Sequence, residues 1–228
     1  MQERPSDGAA IGAAEPSIRP DAVFERTALD DRSWVDVARG WLDGQAALLD
    51  LLQRELTWET SRVYRYDHWV EEPHLGAGFR FDAPPHPVLL DAHRTIQHRY
   101  HQRFMAPSLV MYRDGRDSMA FHRDRDLRWL DDTLVALLVL GERRPFHIRP
   151  RANRYAHELA DKGATHDVRA GRGDLLVMGG ACQAGWEHSV PKVPGHRAVR
   201  VSIQWRWAGR TGRPVEGASY RAPRHYSR

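Results

Sequence analysis

Phe121-His122-Arg123-Asp124-Arg125-Asp126 is the stretch on which the reading of this 228-residue chain turns. In an extended strand side chains alternate between faces, so His122 and Asp124 point the same way. Two ligands at that spacing can grip one metal ion, and a second histidine from a distant strand completes a facial triad of two histidines and one carboxylate. Such a set fills one face of an octahedral Fe(II) and leaves the other for a co-substrate and oxygen. With 13 histidines and 30 acidic residues, an isolated His-x-Asp arises by chance. The pattern gains weight only from its company. His188, in Trp186-Glu187-His188-Ser189-Val190, is the third ligand that a barrel of short strands brings alongside. Spacing alone leaves open the other meaning of these residues, histidines satisfied in a core or exposed on a surface.

The flanking sequence reads as strands and turns. Leu109–Tyr112 and Ser118–Asp124 are short strands joined by the loop Arg113–Asp117. Thr133–Leu140 is an almost unbroken apolar run, as in a strand buried on both faces. Phe146–Arg149 and Leu175–Met178 follow, the second stopped by Gly179-Gly180, with a polar connection over Asn153–Thr165 between them. The last strand, Ala198–Trp207, alternates cleanly: Val199, Val201, Ile203, Trp205 and Trp207 on one side, Arg200, Ser202, Gln204 and Arg206 on the other. That polar side is either a solvated outer face or the wall of a pocket for a dicarboxylate, which arginine pairs bidentately.

The N-terminal part differs. Residues 1–21 have no periodicity and read as a disordered arm. Trp34 to Leu56 carries apolar residues at helical spacing, with Asp43 a candidate cap and an end near Leu56-Thr57. Trp58 to Phe81 interleaves aromatic residues (Tyr64, Tyr66, Trp69, Phe79, Phe81) with arginines and acids. It is either a lid that stacks on a flat ring or a pair of ordinary strands with core aromatics. After the bend Pro84-Pro85-His86-Pro87, a second amphipathic helix runs over Val88–Phe104. His86, His93, His98 and His101 match no compact metal motif and read as surface or cap residues. Strands after a helical N-terminal third give an α+β, mainly β fold: a sandwich or barrel with helices packed on one sheet. The expected organisation is a single domain over 22–210, with helices and lid in 22–107, the β core in 108–208, and a basic tail in 211–228.

Composition narrows the class. Apolar residues make up 41% and charged residues 28%, as in soluble globular proteins. No apolar run approaches the length of a bilayer span, no signal-peptide pattern opens the chain, and the single cysteine, Cys182, excludes a disulfide framework and a cysteine-based zinc site. The expectation is a cytoplasmic monomer without a membrane or protein partner. A net charge of +4 and a pI near 9.5 permit a polyanionic partner without identifying it.

Taken in order, Tyr112, Asp114-Gly115, His122-x-Asp124-x-Asp126, Gly173-Asp174, Trp186-x-His188-x-Val190-Pro191-Lys192 and Arg200-x-Ser202-x-Gln204-x-Arg206 resemble the AlkB family. These are Fe(II)- and 2-oxoglutarate-dependent dioxygenases on a double-stranded β-helix, or jelly roll. The resemblance runs from about Leu109 to Trp207 and implies that His122, Asp124 and His188 bind iron. It implies that Arg200, with Tyr112, takes the distal carboxylate of 2-oxoglutarate, that Arg206 lies near its 1-carboxylate, and that Ser202 belongs to the same co-substrate wall. Asp126 matches an acid near the exocyclic amine of a flipped base. The implied activity is oxidative demethylation of N-alkylated bases, of the 1-methyladenine or 3-methylcytosine type, in DNA or RNA, with O2 as second co-substrate. Tyr64, Tyr66 and Trp69 are the candidates for stacking on the base. Arg113, Arg116, Arg123, Arg125, Arg143, Arg144, Arg149 and Arg151 are candidates for a phosphate path, each read singly as a surface charge. The alternatives are a dioxygenase acting on a small molecule or protein and, more remotely, a non-catalytic jelly-roll binding module. Two positions depart from the family pattern: Val110 stands where an asparagine touches the co-substrate, and Gln204 where threonine is usual.

Overall fold

The computed structural model describes residues 14–65, 67–124, 127–151, 165–210, 212 and 214. In chain order its first half contains β1 (Ser17–Ile18), β2 (Phe24–Ala28), β3 (Ser33–Ala38), β4 (Leu42–Asp43), α1 (Gln45–Glu55), β5 (Glu59–Arg65), β6 (His68–Ala77) and α2 (Val88–Tyr100). Then come β7 (Ser108–Tyr112), β8 (Met119–His122), β9 (Thr133–Gly141), β10 (His147–Pro150), β11 (His166–Asp167), β12 (Asp174–Gly180), α3 (Cys182–Gly185), β13 (Trp186–Val190) and β14 (Arg200–Ala208). A large antiparallel sheet has the order β2-β3-β12-β9-β14-β7-β6-β5, and a smaller one the order β11-β10-β13-β8. The fold is mainly β, with the sheet pair of a jelly roll and the two long helices packed on the larger sheet.

β9 shows how the layers arise. Leu134, Ala136, Leu138 and Leu140 face the helices and join Leu48 and Leu52 of α1 and Leu89, Ala92 and Ile96 of α2 in one core. Val135, Leu137 and Val139 face the other way, into a second core that lies between the sheets with Phe146, Ile148, Trp186 and Val190. A strand buried on both faces cannot show period-two alternation, and its apolar run is unbroken for that reason.

β14 is built on the opposite principle. Val201, Ile203 and Trp205 enter the helix-side core, while Arg200, Ser202, Gln204 and Arg206 line the space between the sheets. Arg200, Ser202 and Gln204 sit directly opposite Tyr112, Val110 and Ser108 of β7. Arg200 is 0% and Ser202 2% exposed, so the polar side of this strand is an inner wall and not a solvated face.

Several expectations are corrected. Trp34 and Val35 belong to β3, paired with β2 and β12, and not to the first helix. Both faces of β3 are packed, and Asp36 is held inside by Arg26 and by the Tyr100 hydroxyl, so no alternation is visible. α1 starts after Gly44, not at Asp43: Gly44 has φ 65°, and a Cβ there would lie 2.3 Å from the Ala14 carbonyl. α2 ends at Tyr100 with His101 left-handed, short of Phe104. Order begins inside the stretch read as an arm, because Ser17–Ile18 pairs with Leu42–Asp43. His93 is buried edge-on against Phe81 and is not a surface residue. Phe79 packs on the helix-side core and stacks with Phe81, so neither belongs to a lid. The connection over Asn153–Thr165 lies almost wholly outside the described residues, as does most of the C-terminal tail.

Candidate metal centre and co-substrate pocket

β8 ends at His122, and Asp124 lies two residues beyond it, so one strand does not carry both ligands as the alternation of side chains had suggested. Their convergence has other causes. The Asp124 amide donates to the Gln183 side-chain carbonyl (2.8 Å), and Arg206 Nε donates to Asp124 Oδ2 (3.1 Å). His188 on β13 is registered directly opposite His122 on β8, next to a bulge, with ring centroids 4.2 Å apart. Nε2 of His122 and of His188 then lie 3.8 and 3.9 Å from Asp124 Oδ1. One ligand atom from each of the three residues falls within 4.8 Å of the others, the single such group with metal-ligand chemistry among the described residues.

The nitrogen assignments fit a metal. Nδ1 of His122 is 2.8 Å from the Ala120 carbonyl, which can only accept, so the proton is on Nδ1 and the lone pair that can ligate is on Nε2. Burial pushes His188 down to about 3, leaving it neutral at ordinary pH, and Phe146 stacks on it at 5.5 Å. Burial works against the Asp124 carboxylate, but the Arg206 cation and the two imidazoles outweigh it and bring it down to about 2. Asp124 therefore presents one charged oxygen to the histidines while Arg206 holds the other. Arg206 also reaches Ser108 and Gln204, so its bonds orient a metal ligand.

Along the same wall lies a second feature. Arg200 is 0% exposed, and none of its three guanidinium nitrogens has a hydrogen-bond partner among the described residues. Its cation sits 5.3 Å from the centroid of the Tyr112 ring. Burial lowers Arg200 to about 10, still protonated at neutral pH, and raises Tyr112 to about 12, keeping its hydroxyl able to donate. A buried cation with free donors is costly unless an anion arrives. Together, a two-histidine, one-carboxylate set and an orphaned arginine beside a neutral phenol fit Fe(II) with a dicarboxylate co-substrate.

The structure thus brings together His122, Asp124, His188, Tyr112, Arg200, Ser202 and Arg206. Asp126, Tyr66 and the side chain of Tyr64 lie outside the described residues. Trp69, 60% exposed, stands on the hairpin of β5 and β6, which is tied to the start of β8 by the Ser118 amide donating to the Pro73 carbonyl (2.8 Å). Of the arginines read as surface charges, Arg113, Arg116, Arg143 and Arg149 each bind a carboxylate, and Arg144 is fully buried. Sequence reasoning misplaced Arg144 on the surface and missed Gln183. It also missed buried Glu72 and His74, although the Ser61 hydroxyl donates to Glu72 and His74 contacts the Ser118 carbonyl. Gln183 had no signal in the sequence, whereas the alternation of Glu72 and His74 on one strand was a faint one.

Comparison with known proteins agrees with the geometry. The family described as the 2OG-Fe(II) oxygenase superfamily matches residues 42–206. The human protein named alpha-ketoglutarate-dependent dioxygenase alkB homolog 3 is 28% identical over 211 residues, covering 86% of this chain and 70% of its own. Its mouse counterpart gives the same identity and coverage. A solved prolyl hydroxylase in complex with a hypoxia inducible factor peptide, from Trichoplax adhaerens, overlaps 70% of this chain and 75% of its own at 12% identity and a TM-score of 0.48. The chain is an iron- and 2-oxoglutarate-dependent dioxygenase that belongs to the 2OG-Fe(II) oxygenase superfamily and, within it, to the AlkB family.

Proposed function

We propose that this dioxygenase removes methyl groups from N-alkylated bases in nucleic acid, of the 1-methyladenine or 3-methylcytosine type. His122 and His188 would hold iron through Nε2, and Asp124 through Oδ1. Arg200 and the Tyr112 hydroxyl would take the distal carboxylate of 2-oxoglutarate, with Ser202 in the same wall and Arg206 between that wall and Asp124. When bound, iron with 2-oxoglutarate and O2 supplies the oxidant for a C–H bond, releasing succinate and carbon dioxide. Hydroxylation of an N-methyl carbon gives a hemiaminal, which loses formaldehyde and restores the base.

The chain's own residues set the conditions for this. Gln183 holds the Asp124 backbone amide and Arg206 one oxygen of its carboxylate, so the metal-facing oxygen stays charged and aimed. Phe146, packed on His188, keeps water from that side of the centre. His122 is the more exposed histidine, at 28% against 8%, so substrate would approach on its side.

Trp69 is the observation that carries the nucleic-acid reading. A 60% exposed indole on a hairpin anchored beside the metal strand is costly to leave in water and suited to stack on an extruded base. The positive net charge favours a polyanion. Asp126 remains the proposed contact to the exocyclic amine, with Tyr64 and Tyr66 as further stacking candidates.

Mass spectrometry of single-stranded oligonucleotides bearing either base tests the reading, with Fe(II), ascorbate and 2-oxoglutarate present. Wild type should remove the methyl group and His188→Ala should not. Trp69→Ala should raise the oligonucleotide KM about tenfold, since a stacked base is worth roughly 1–3 kcal/mol, and leave the 2-oxoglutarate KM unchanged. Succinate formed over an intact oligonucleotide would discard these substrates and point to a small molecule or protein.

A further inference from the structure

The co-substrate pocket contains a second buried arginine for which neither the metal site nor the Arg200–Tyr112 pair accounts. Arg144 is 0% exposed, like Arg200, and its guanidinium carbon lies 5.4 Å from the centroid of the Tyr112 ring. The topology explains the meeting. Gly141 is registered opposite Arg200 across β9 and β14, and Arg144 follows three residues later, bridged to Ala170. Neither arginine makes an ion pair among the described residues. The carboxylates of the β7–β8 loop whose charge reaches Arg144, Asp114 and Asp117, are bound by Arg116 and Arg113. Two guanidinium groups thus flank one neutral phenol inside the protein, a burden that an arriving anion relieves.

The bonds of Arg144 reveal a second role. Nη1 donates to the Asp114 carbonyl (2.8 Å), and Nη2 donates to the carbonyls of Asp117 (2.8 Å) and Pro191 (2.9 Å). These carbonyls belong to the β7–β8 loop and to the exit of β13, the two segments that leave Tyr112 and follow His188. The same segments clasp through Gly115, whose amide donates to the His196 carbonyl and whose carbonyl accepts from the Val193 amide. A Cβ at Gly115 would lie 1.8 Å from the Val193 oxygen, so the contact leaves no room for any other residue. One side chain therefore braces the chain on both sides of the clamp while adding its charge to it.

We propose that Arg144 is a positioning residue for 2-oxoglutarate: it braces the two segments behind Tyr112 and presents a second positive charge to the distal carboxylate that Arg200 takes. The proposal rests on assigning Arg200 and Tyr112 to that carboxylate. Its signature is selectivity, because the brace and the charge act on the distal end of the co-substrate and not on the end that meets the metal.

The test is anaerobic calorimetric titration of the iron-loaded protein with 2-oxoglutarate and with pyruvate, which shares the 2-oxo-acid end and lacks the distal carboxylate. The preference for 2-oxoglutarate should fall at least tenfold in Arg144→Met and further in Arg200→Met. Arg144→Lys keeps the charge but not the fork to three carbonyls, and should lie between wild type and Arg144→Met. Arg144→Gln replaces the methionine variant if circular dichroism shows that variant unfolded. Equal weakening of both acids in the Arg144 variants, or an unchanged preference, overturns the proposal and leaves Arg144 a structural residue. An unchanged preference in Arg200→Met is a separate result that overturns the clamp assignment itself.

Discussion

The two ends of β14 each carry a buried or nearly buried arginine, and the two are in opposite states. Arg206 is bonded to Asp124, Ser108 and Gln204, all inside the chain. Arg200, six residues earlier on the same face, has no hydrogen-bond partner for any guanidinium nitrogen among the described residues. An arginine whose partners are all intramolecular completes its own site, and one whose donors are all free waits for a ligand. The same strand thus contains a device that organises the metal centre and a device that organises the co-substrate, distinguished by satisfaction and not by residue type.

The most damaging way to break this comparison is at the satisfied end. Arg206→Met leaves the 5%-exposed Asp124 side chain without its strongest partner. Removing one member of a buried charge pair typically costs about 3–5 kcal/mol. The metal-free protein is expected to lose about 3 kcal/mol in urea unfolding, and its affinity for Fe(II), followed by equilibrium dialysis, should drop because the carboxylate is no longer oriented. Added Fe(II) should restore part of the lost stability, since the cation substitutes for the missing guanidinium.

At the unsatisfied end the sign reverses. Arg200→Met removes a charge that no carboxylate among the described residues pairs, so without co-substrate the variant should melt a few degrees above wild type, on the scale of about 2–4 °C per kcal/mol for a chain of this size. Its KM for 2-oxoglutarate should rise about a hundredfold, and the co-substrate should no longer raise its melting temperature. A variant that melts lower in the absence of 2-oxoglutarate would show that Arg200 is a structural cation, and the contrast between the two ends would fail.

Legibility in the sequence followed the same division. The unbroken apolar run of β9 and the alternation of β14 were readable because each is a local pattern with one cause, burial on two faces or on one. His122, Asp124 and His188 were readable because their chemistry restricts what they do together, although the strand invoked to align the first two stops at His122. Trp34 and Val35 were misread because β3 is packed on both faces and holds Asp36 inside, which erases its period. Arg144 was lost among the loop arginines beside it: Arg143 is on the surface and Arg144 fully buried, and nothing local separates two adjacent residues of one type. What the sequence concealed was in each case the state of a charge, which depends on partners far away in the chain.

The smallest effect sharpens the comparison most finely. Val110 lies between Tyr112 and Ser108 on the same face of β7, opposite Ser202, so it occupies the wall between the free arginine and the satisfied one. It is half-buried and packs on the core between the sheets. The AlkB-like pattern has asparagine here, and Val110→Asn would offer a carboxamide to a co-substrate whose distal end lies toward Arg200. One added hydrogen bond is worth about 0.5–1.5 kcal/mol net, a few-fold in KM for 2-oxoglutarate. Without co-substrate the amide has no anion to bind and replaces apolar packing, so the variant should melt slightly lower than wild type. A lower KM joined to a lower melting temperature would place position 110 with Arg200, among the groups that are satisfied only by the ligand. A lower melting temperature with an unchanged KM would place it with Arg206, in the part of the wall that the chain completes by itself.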